Sequence, residues 1–246
     1  PVVNKRKAAS ALARFMSLHP VNIAQKTEVM VEHFRHFTIH KIGGRAKAMV
    51  VTSSPLHAVR YKLAFDKYIK EKGYTGIKTL VAFSGTVTDP DVLIDYTEAG
   101  MNNGIREKEL PEKFGTDEYQ VLLVAEKYQT GFDQPLLHTM YVDKRLSGIQ
   151  AVQTLSRLNR IYPPLKEDTF ILDFVNEPQE ILESFKPYYE QTLIGERAEA
   201  RHLYELQAKL DAQQVYFKSE VEEFAKVFYK PSKFQTPDDH ARMNAC

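Results

Sequence analysis

The sequence predicts an α/β fold: a parallel sheet with helices on both faces, followed by an α-helical extension. Five short apolar runs alternate with helical patterns between residues 48 and 174. Runs that are apolar on both faces are typical of buried parallel strands, and their alternation with helices is typical of a covered parallel sheet. After Pro178 no strand pattern returns, and apolar residues recur at helical spacing instead.

The chain begins with a helical pattern over residues 8–40, in which Asn22 is expected to cap a helix. The first strand is expected at residues 48–52. Ser53-Ser54-Pro55 follows it, and a hydroxyl cap with proline in the first turn predicts the start of the next helix. That helix is expected to end near Gly73.

The remaining elements continue the alternation. Residues 86–118 are polar and rich in turn residues, so we expect a long excursion with some helix there. A helix is expected over residues 148–160. Strands are expected at residues 79–83, 119–124, 138–142 and 169–174, and later helices at 180–189, 196–214 and 217–229. This organisation predicts a helical lead-in at 1–40, an α/β domain at 41–178 and the start of a helical domain at 179–246.

Composition narrows the class of protein. A chain of 246 residues with 43% hydrophobic residues can form a substantial core. The balance of 33 basic to 32 acidic residues argues against a polybasic tail, but not against a local basic groove. The single cysteine, Cys246, allows no internal disulfide, which favours the cytoplasm. No apolar run approaches the ~18 residues that span a membrane, so no membrane association is expected. The absence of an initiator methionine suggests a piece of a longer protein.

Two arginines are the clearest chemical signal. Arg157 and Arg160 stand three residues apart in the predicted helix and should point the same way. Each guanidinium stays charged and presents a planar fork that suits phosphate. Several strands are followed by polar side chains, and parallel sheets bind ligands at the carboxyl ends of their strands. We therefore expect the arginines to face the loops at residues 53, 84 and 130.

Two motifs together resemble a known family. Thr130-Gly131-Phe132-Asp133 precedes Gln153-Thr154-Leu155-Ser156-Arg157-Leu158-Asn159-Arg160, with Met140-Tyr141-Val142-Asp143-Lys144 between them. They resemble the second motor half of superfamily 2 helicases and translocases, and most of all the motor (R) subunit of type I restriction enzymes. The resemblance covers about residues 47–176 and implies a RecA-like fold of the P-loop NTPase type at 41–178. Most of the superfamily has glycine where this chain has Ser156, as the restriction branch tends to.

The resemblance also implies roles for individual residues. The two arginines would be catalytic, reaching the phosphates of a nucleotide held by the first motor half, and no residue is expected to bind metal. The residues implied to line the nucleotide are Gln153, Gly131 and Asp133. Those implied to touch the nucleic-acid backbone are Thr130, Ser53, Ser54, Ser84 and Gly85.

The implied protein is an ATP-dependent DNA translocase with type I site-specific deoxyribonuclease activity, of which this chain is a fragment. ATP and Mg²⁺ would be held mainly by the first motor domain. The implied partners are double-stranded DNA, the first motor and nuclease domains of the same subunit, and the methylation and specificity subunits. Gly76-Ile77-Lys78-Thr79 lacks the glycine spacing of a phosphate-binding loop, and Asp117-Glu118 precedes its strand rather than following it. We therefore expect the chain to be inactive alone.

Three alternatives stay open. The chain could be the motor half of another superfamily 2 helicase or remodeller. It could also be a non-enzymatic α/β module that uses the two arginines to bind phosphate or a partner's carboxylates. The third alternative is a small-molecule enzyme of doubly wound fold, which the lack of a glycine-rich first turn disfavours.

Overall fold

The computed structural model describes residues 5–128, 132–196, 218–230 and 236. The predicted contacts of Thr130 and Gly131, and most of the helix expected at 196–214, lie outside these residues. The chain divides into two compact units, Pro1–Lys186 and Pro187–Cys246. Among the described residues, no helix is both long enough and apolar enough to cross a membrane.

The predicted fold class is confirmed: the first unit contains a five-stranded sheet in the order β2-β5-β1-β6-β7, with every neighbouring pair parallel. The strands are β1 Lys47–Thr52, β2 Thr79–Ala82, β3 Thr86–Asp89, β4 Ile94–Thr97, β5 Val121–Ala125, β6 Leu137–Asp143 and β7 Phe170–Asp173. The helices of the described residues are α1 Lys5–Leu18, α2 Pro20–His36, α3 Pro55–Glu71, α4 Glu98–Met101, α5 Leu110–Gly115, α6 Gly148–Leu155, α7 Pro178–Glu196 and α8 Lys218–Phe228.

The central strand β1 is buried along its whole length, because both faces of the sheet are covered. Ala48 and Val50 point into one core, which also contains buried residues of α2 and α3. Met49 and Val51 point into a second core, which also contains residues of α5 and α6. This alternation is the period of two expected of a strand between two layers.

The helix starts were predicted with mixed success. Ser54 caps α3 as predicted, since its side chain accepts from the backbone N–H of His57, and Pro55 opens the helix. The prediction for Asn22 is wrong: His19 caps α2 through its ring nitrogen. The side-chain amide of Asn22 instead donates to two carbonyls of the preceding turn, at Met16 and Ser17.

The excursion at 86–118 contains helix, as predicted, and also an antiparallel hairpin of β3 and β4 that the sequence did not reveal. Its main structural effect is to cover the free edge of β2. Asn102 accepts from the N–H of Val81 and donates to its carbonyl, while Glu98 accepts from the N–H of Phe83. The edge strand is thus protected from pairing with another chain.

The helix expected over 148–160 is shorter than predicted. Regular α-helix ends at Leu155, Ser156–Asn159 forms a 3₁₀ turn, and Arg160 is extended. The carbonyls of Leu158 and Arg160 accept from the side chain of Lys166 instead of from further helical N–H groups. The sequence pattern thus predicts helix to residue 160, five residues beyond the end of the α-helix at Leu155.

Candidate functional site

Helix α6 and the turn after it carry the two predicted arginines. Ala151, Thr154 and Leu155 are buried on the inner side of the helix. Gln153, one turn before Arg157, is exposed. Arg157 lies within the 3₁₀ turn and Arg160 is the extended residue that follows it, so the two arginines are no longer on one α-helix.

Both arginines contact the segment that follows the Thr130-Gly131 motif. The Nη1 of Arg157 donates to the carbonyl of Phe132 at 2.6 Å. The Nε of Arg160 lies 3.2 Å from Oδ1 of Asp133, in an ion pair whose side chains are 58% and 66% exposed. The structure thus brings together Arg157, Arg160 and Asp133, as predicted for one site, and adds the backbone of Phe132.

The electrostatics of the pair favour a bound anion. Arg157 is half-buried, and the loss of hydration lowers its pKa, with the positive charge of Arg160 as a second cause. Two neighbouring guanidinium groups repel each other, and the carboxylate of Asp133 forms an ion pair with Arg160. A multiply charged anion in front of the turn would relieve this repulsion and accept several charge-assisted hydrogen bonds.

Lys166 is a part of this site that the sequence analysis missed. Its ammonium donates to the carbonyls of Leu158 and Arg160, both at 2.7 Å, and to that of Pro135 at 3.3 Å. Burial lowers the pKa of Lys166 to about 8. The sequence offered no signal for this role, because a lysine in a loop between a helix and a strand is ordinarily a surface residue.

The hydroxyl groups predicted to touch nucleic acid follow strands at the carboxyl edge of the sheet. Ser53 follows β1 and donates to the carbonyl of Asp143 at 3.0 Å. Ser54 is 2.8 Å from Nδ1 of His57 besides capping α3. Ser84 and Gly85 follow β2 and are exposed, and Gly85 has the left-handed φ of 77° that glycine adopts most readily.

A buried polar cluster lies beneath this edge. The carboxylate of Asp143 at the end of β6 accepts from the ammonium of Lys26 at 2.7 Å and from the hydroxyl of Tyr61 at 2.5 Å. The buried ring of His57 joins Ser54 to Ser17 of α1. Burial lowers the pKa of His57 to about 4, so the ring is neutral at physiological pH.

The described contacts of the predicted residues form two groups. Asp133 lies on the segment that returns the chain to the start of β6, and the same segment contacts the arginines. The described hydrogen bonds and ion pair of the arginine turn reach Phe132, Asp133 and Lys166, whereas those of Ser53 and Ser54 reach Asp143 and His57.

No group of three or more His, Cys, Asp or Glu side chains capable of holding a metal ion occurs among residues 5–128, 132–196, 218–230 and 236. The described side chains at the arginine turn offer guanidinium donors, together with the carboxylate of Asp133 and the exposed amide of Gln153.

Comparison with known proteins agrees with the motifs. Residues 96–176 match the family described as type I restriction enzyme subunit R domain 3. This stretch contains the whole arginine site.

Curated relatives extend the match. The chain is 31% identical over 169 residues to an endonuclease subunit assigned to the type I restriction enzyme MjaVIIP of Methanocaldococcus jannaschii, covering 64% of this chain and 15% of that protein. It is 29% identical over 131 residues to the type I restriction enzyme HindI endonuclease subunit of Haemophilus influenzae, covering 52% of this chain and 11% of that protein. The matched stretches are thus a small part of these relatives.

Solved structures give only weak likenesses. One is described as Mss116p DEAD-box helicase domain 2 bound to an RNA duplex, with a TM-score of 0.40, 16% identity, and coverage of 68% of this chain and 55% of that one. Another is the C-terminal part of the Fun30 ATPase domain, with a TM-score of 0.38, 10% identity, and coverage of 63% and 44%. The fold class is established by the strand order itself. With the family match and the curated relatives, the motifs lead to one conclusion: in the matched stretches the chain is similar to the R subunits of type I restriction enzymes.

Proposed function

We propose that the chain is the second motor half of an ATP-dependent, DNA-translocating restriction subunit, and that it completes an ATP site whose other half is on the first motor domain. The observation that carries this proposal is the convergence of Arg157 and Arg160 on the segment at Phe132 and Asp133. A half-buried guanidinium beside an exposed one is an arrangement that can contact two oxygens of a phosphate group.

In this proposal the arginines stabilise the charge on the transferring phosphate, and bound ATP with Mg²⁺ supplies the phosphoryl group. Gln153 and Asp133 would flank the phosphates, since both are exposed beside the turn. The ion pair of Asp133 with Arg160 would hold that arginine until a nucleotide arrives. Gly131, two residues before Asp133 in the sequence, would also line the nucleotide.

The carboxyl edge of the sheet would contact the phosphate backbone of duplex DNA through Ser53, Ser54, Thr130 and the exposed Ser84-Gly85 turn. Small hydroxyls and backbone amides position a strand without reading its sequence. The hydroxyl of Ser53 already donates to Asp143, so it would act as an acceptor or exchange that bond. The nuclease domain and the methylation and specificity subunits would supply cleavage and target recognition.

The test is an arginine scan in the full-length subunit assembled with its partners and DNA. We expect Arg157→Ala and Arg160→Ala each to lower the steady-state ATPase rate by about 10³-fold or more, because loss of such a group removes stabilisation of transition-state charge. The ATPase rate of the double variant should lie within about tenfold of the rate of the less active single variant, since the pair acts as a unit.

Arg106→Ala is the matched control, because Arg106 is exposed in the excursion before α5 and belongs to the same matched domain. It should keep ATPase within twofold of wild type. Thermal unfolding of each variant of the isolated chain separates loss of catalysis from loss of fold, which matters because Arg157 also donates to Phe132. An Arg157→Ala subunit with ATPase within about twofold of wild type would contradict the proposal and favour a non-enzymatic binding module.

A further inference from the structure

The ammonium of Lys166 joins two segments that the proposed site depends on. Its three carbonyl partners belong to the turn that carries the arginines, at Leu158 and Arg160, and to the segment that the arginines contact, at Pro135. A lysine ammonium has three N–H donors, so this side chain can satisfy all three partners at once.

These carbonyls need a donor. The last carbonyls of a helix have no intrahelical partner, and a cation close to a helix C-terminus is favourable. Here the regular helix has ended at Leu155, and Leu158 is buried against the sheet. Lys166 therefore replaces the hydrogen bonds that a continuing helix would have made, and it does so from another part of the chain.

Lys166 itself is held from both sides. The backbone N–H groups of Leu165 and Lys166 donate to the carbonyl of Tyr162, whose hydroxyl accepts from Arg45 at 2.9 Å. Two residues further on, Asp168 accepts from Lys41 at 2.7 Å and lies 2.9 Å from Nε2 of His138. The segment at 162–168 is thus anchored to the start of the sheet independently of the arginine turn.

We propose that Lys166 is a positioning residue, whose ammonium clamps the turn at 157–160 against the segment at 132–135 and so sets the spacing at which Arg157 and Arg160 meet a phosphate. This inference rests on the proposed function of the two arginines. The structural part of the inference, that Lys166 orders the turn, does not depend on that function. The backbone of Arg160 is held by the clamp while its exposed side chain remains able to reach a ligand.

The experiment uses Lys166→Met, which keeps the length of the side chain and removes every donor. In the isolated chain, amide hydrogen exchange should accelerate at least tenfold at residues 156–161 and 132–134, while amides of β1 and β5 keep their protection. In the full-length subunit with DNA, the ATPase kcat should fall by about 10–100-fold with KM for ATP within threefold, because a small misplacement of a catalytic group acts on the chemical step.

Lys108→Met is the matched control, since it removes an exposed ammonium in the excursion before α5, far in the sequence from the arginine turn and from the segment at 162–168. It should leave kcat within twofold. Lys166→Arg keeps a cation with several donors and should restore most of the kcat lost in Lys166→Met. If Lys166→Met does not fold, Lys166→Gln takes its place, and the expected changes have the same direction but are smaller, because glutamine retains one amide donor group.

Two outcomes would overturn the inference. One is a Lys166→Met subunit with kcat within twofold of wild type while Arg157→Ala and Arg160→Ala are inactive. The other is that Lys166→Met lowers kcat by the same factor in an Arg160→Ala background as in wild type. A residue that acts by positioning Arg160 should have a smaller effect when that arginine is absent. Activity retained in both arginine variants would instead contradict the proposed function, and the exchange result would still decide whether Lys166 orders the turn.

Discussion

Lys47 lies at the start of the central strand β1, and its side chain is buried. The ammonium donates to the carbonyls of Thr116 and Tyr119, both at 2.6 Å, and stands 5.2 Å from the centre of the Phe114 ring. Burial is the main cause that lowers the pKa of Lys47 to about 8, although the charge of Asp117 acts in the opposite direction. A cation inside the sheet thus connects β1 to the chain between α5 and β5.

This burial should appear as a pH dependence of stability. An unfolded lysine keeps a pKa near 10.4, so between about pH 8 and 10.4 the unfolded chain binds more protons than the folded one. The contribution of Lys47 to the free energy of unfolding therefore rises with pH across this window. Relative to Lys47→Met, wild type should gain on the order of 2 kcal/mol between pH 7 and 9.5.

Urea denaturation of the chain at several pH values measures this difference, and Lys67→Met, at an exposed lysine of α3, controls for the loss of a surface charge. Parallel stability curves for wild type and Lys47→Met would show that the ammonium is not desolvated in the folded chain.

Neither Lys47 nor Lys166 could be singled out from the sequence. The role of Lys47 depends on the carbonyls of Thr116 and Tyr119, which lie far away in the chain. The role of Lys166 depends on a carbonyl that is left without a helical partner because the helix ends early. Arg157 and Arg160 could be singled out, because their spacing and the preceding Thr130-Gly131 turn form a local pattern.

At the scale of elements, the excursion at 86–118 shows how polar residues complete the sheet. Asn102 is 2% exposed, and its side chain pairs with both backbone groups of Val81 on the free edge of β2, at 2.9 and 2.7 Å. The interaction imitates one rung of a neighbouring strand. The sequence placed Asn102 only in an excursion rich in turn residues, because an asparagine that bonds to a distant strand has the same local pattern as one that forms a turn.

Removing this side chain should destabilise the chain strongly. Asn102→Ala leaves the buried N–H and C=O of Val81 without partners, which should lower the free energy of unfolding by about 2–4 kcal/mol. Urea denaturation at pH 7 measures it, with Glu112→Ala, at an exposed position of α5, as the control expected to change stability by less than about 0.5 kcal/mol. A loss as small as that of the control would mean that water replaces Asn102 at the edge.

At the scale of the whole molecule, the described contacts divide the predicted site into two parts. The arginine turn lies against residues 132–135, whereas Ser53 and Ser84 follow strands at the carboxyl edge. We propose that the first part binds nucleotide and that the second contacts DNA. A complete ATP site would then require a second domain with a phosphate-binding loop.

The corresponding prediction concerns complementation. The chain alone should hydrolyse ATP no faster than a blank, because its sequence lacks glycine before a Lys-Ser/Thr pair at phosphate-loop spacing. Mixing it with the separately expressed first motor half of its parent subunit and duplex DNA should raise ATPase at least tenfold above either part. The Arg157→Ala chain should not do so, and the Arg106→Ala chain should. Equal stimulation by wild type and Arg157→Ala would contradict a catalytic contribution from this domain.

The sequence by itself determined the parallel sheet, the start of α3 and the arginine motif, because each is written in neighbouring residues: apolar runs, a Ser54-Pro55 helix start, and arginines three residues apart. Only the tertiary structure decided where the arginine helix ends, how the edge of β2 is closed, and which buried cations hold the segments together. These features depend on Lys166, Asn102 and Lys47 meeting backbone groups distant in the chain or freed by a helix that ends early. A backbone carbonyl or N–H is the same in every residue, so its need for a partner becomes visible only after the chain has folded.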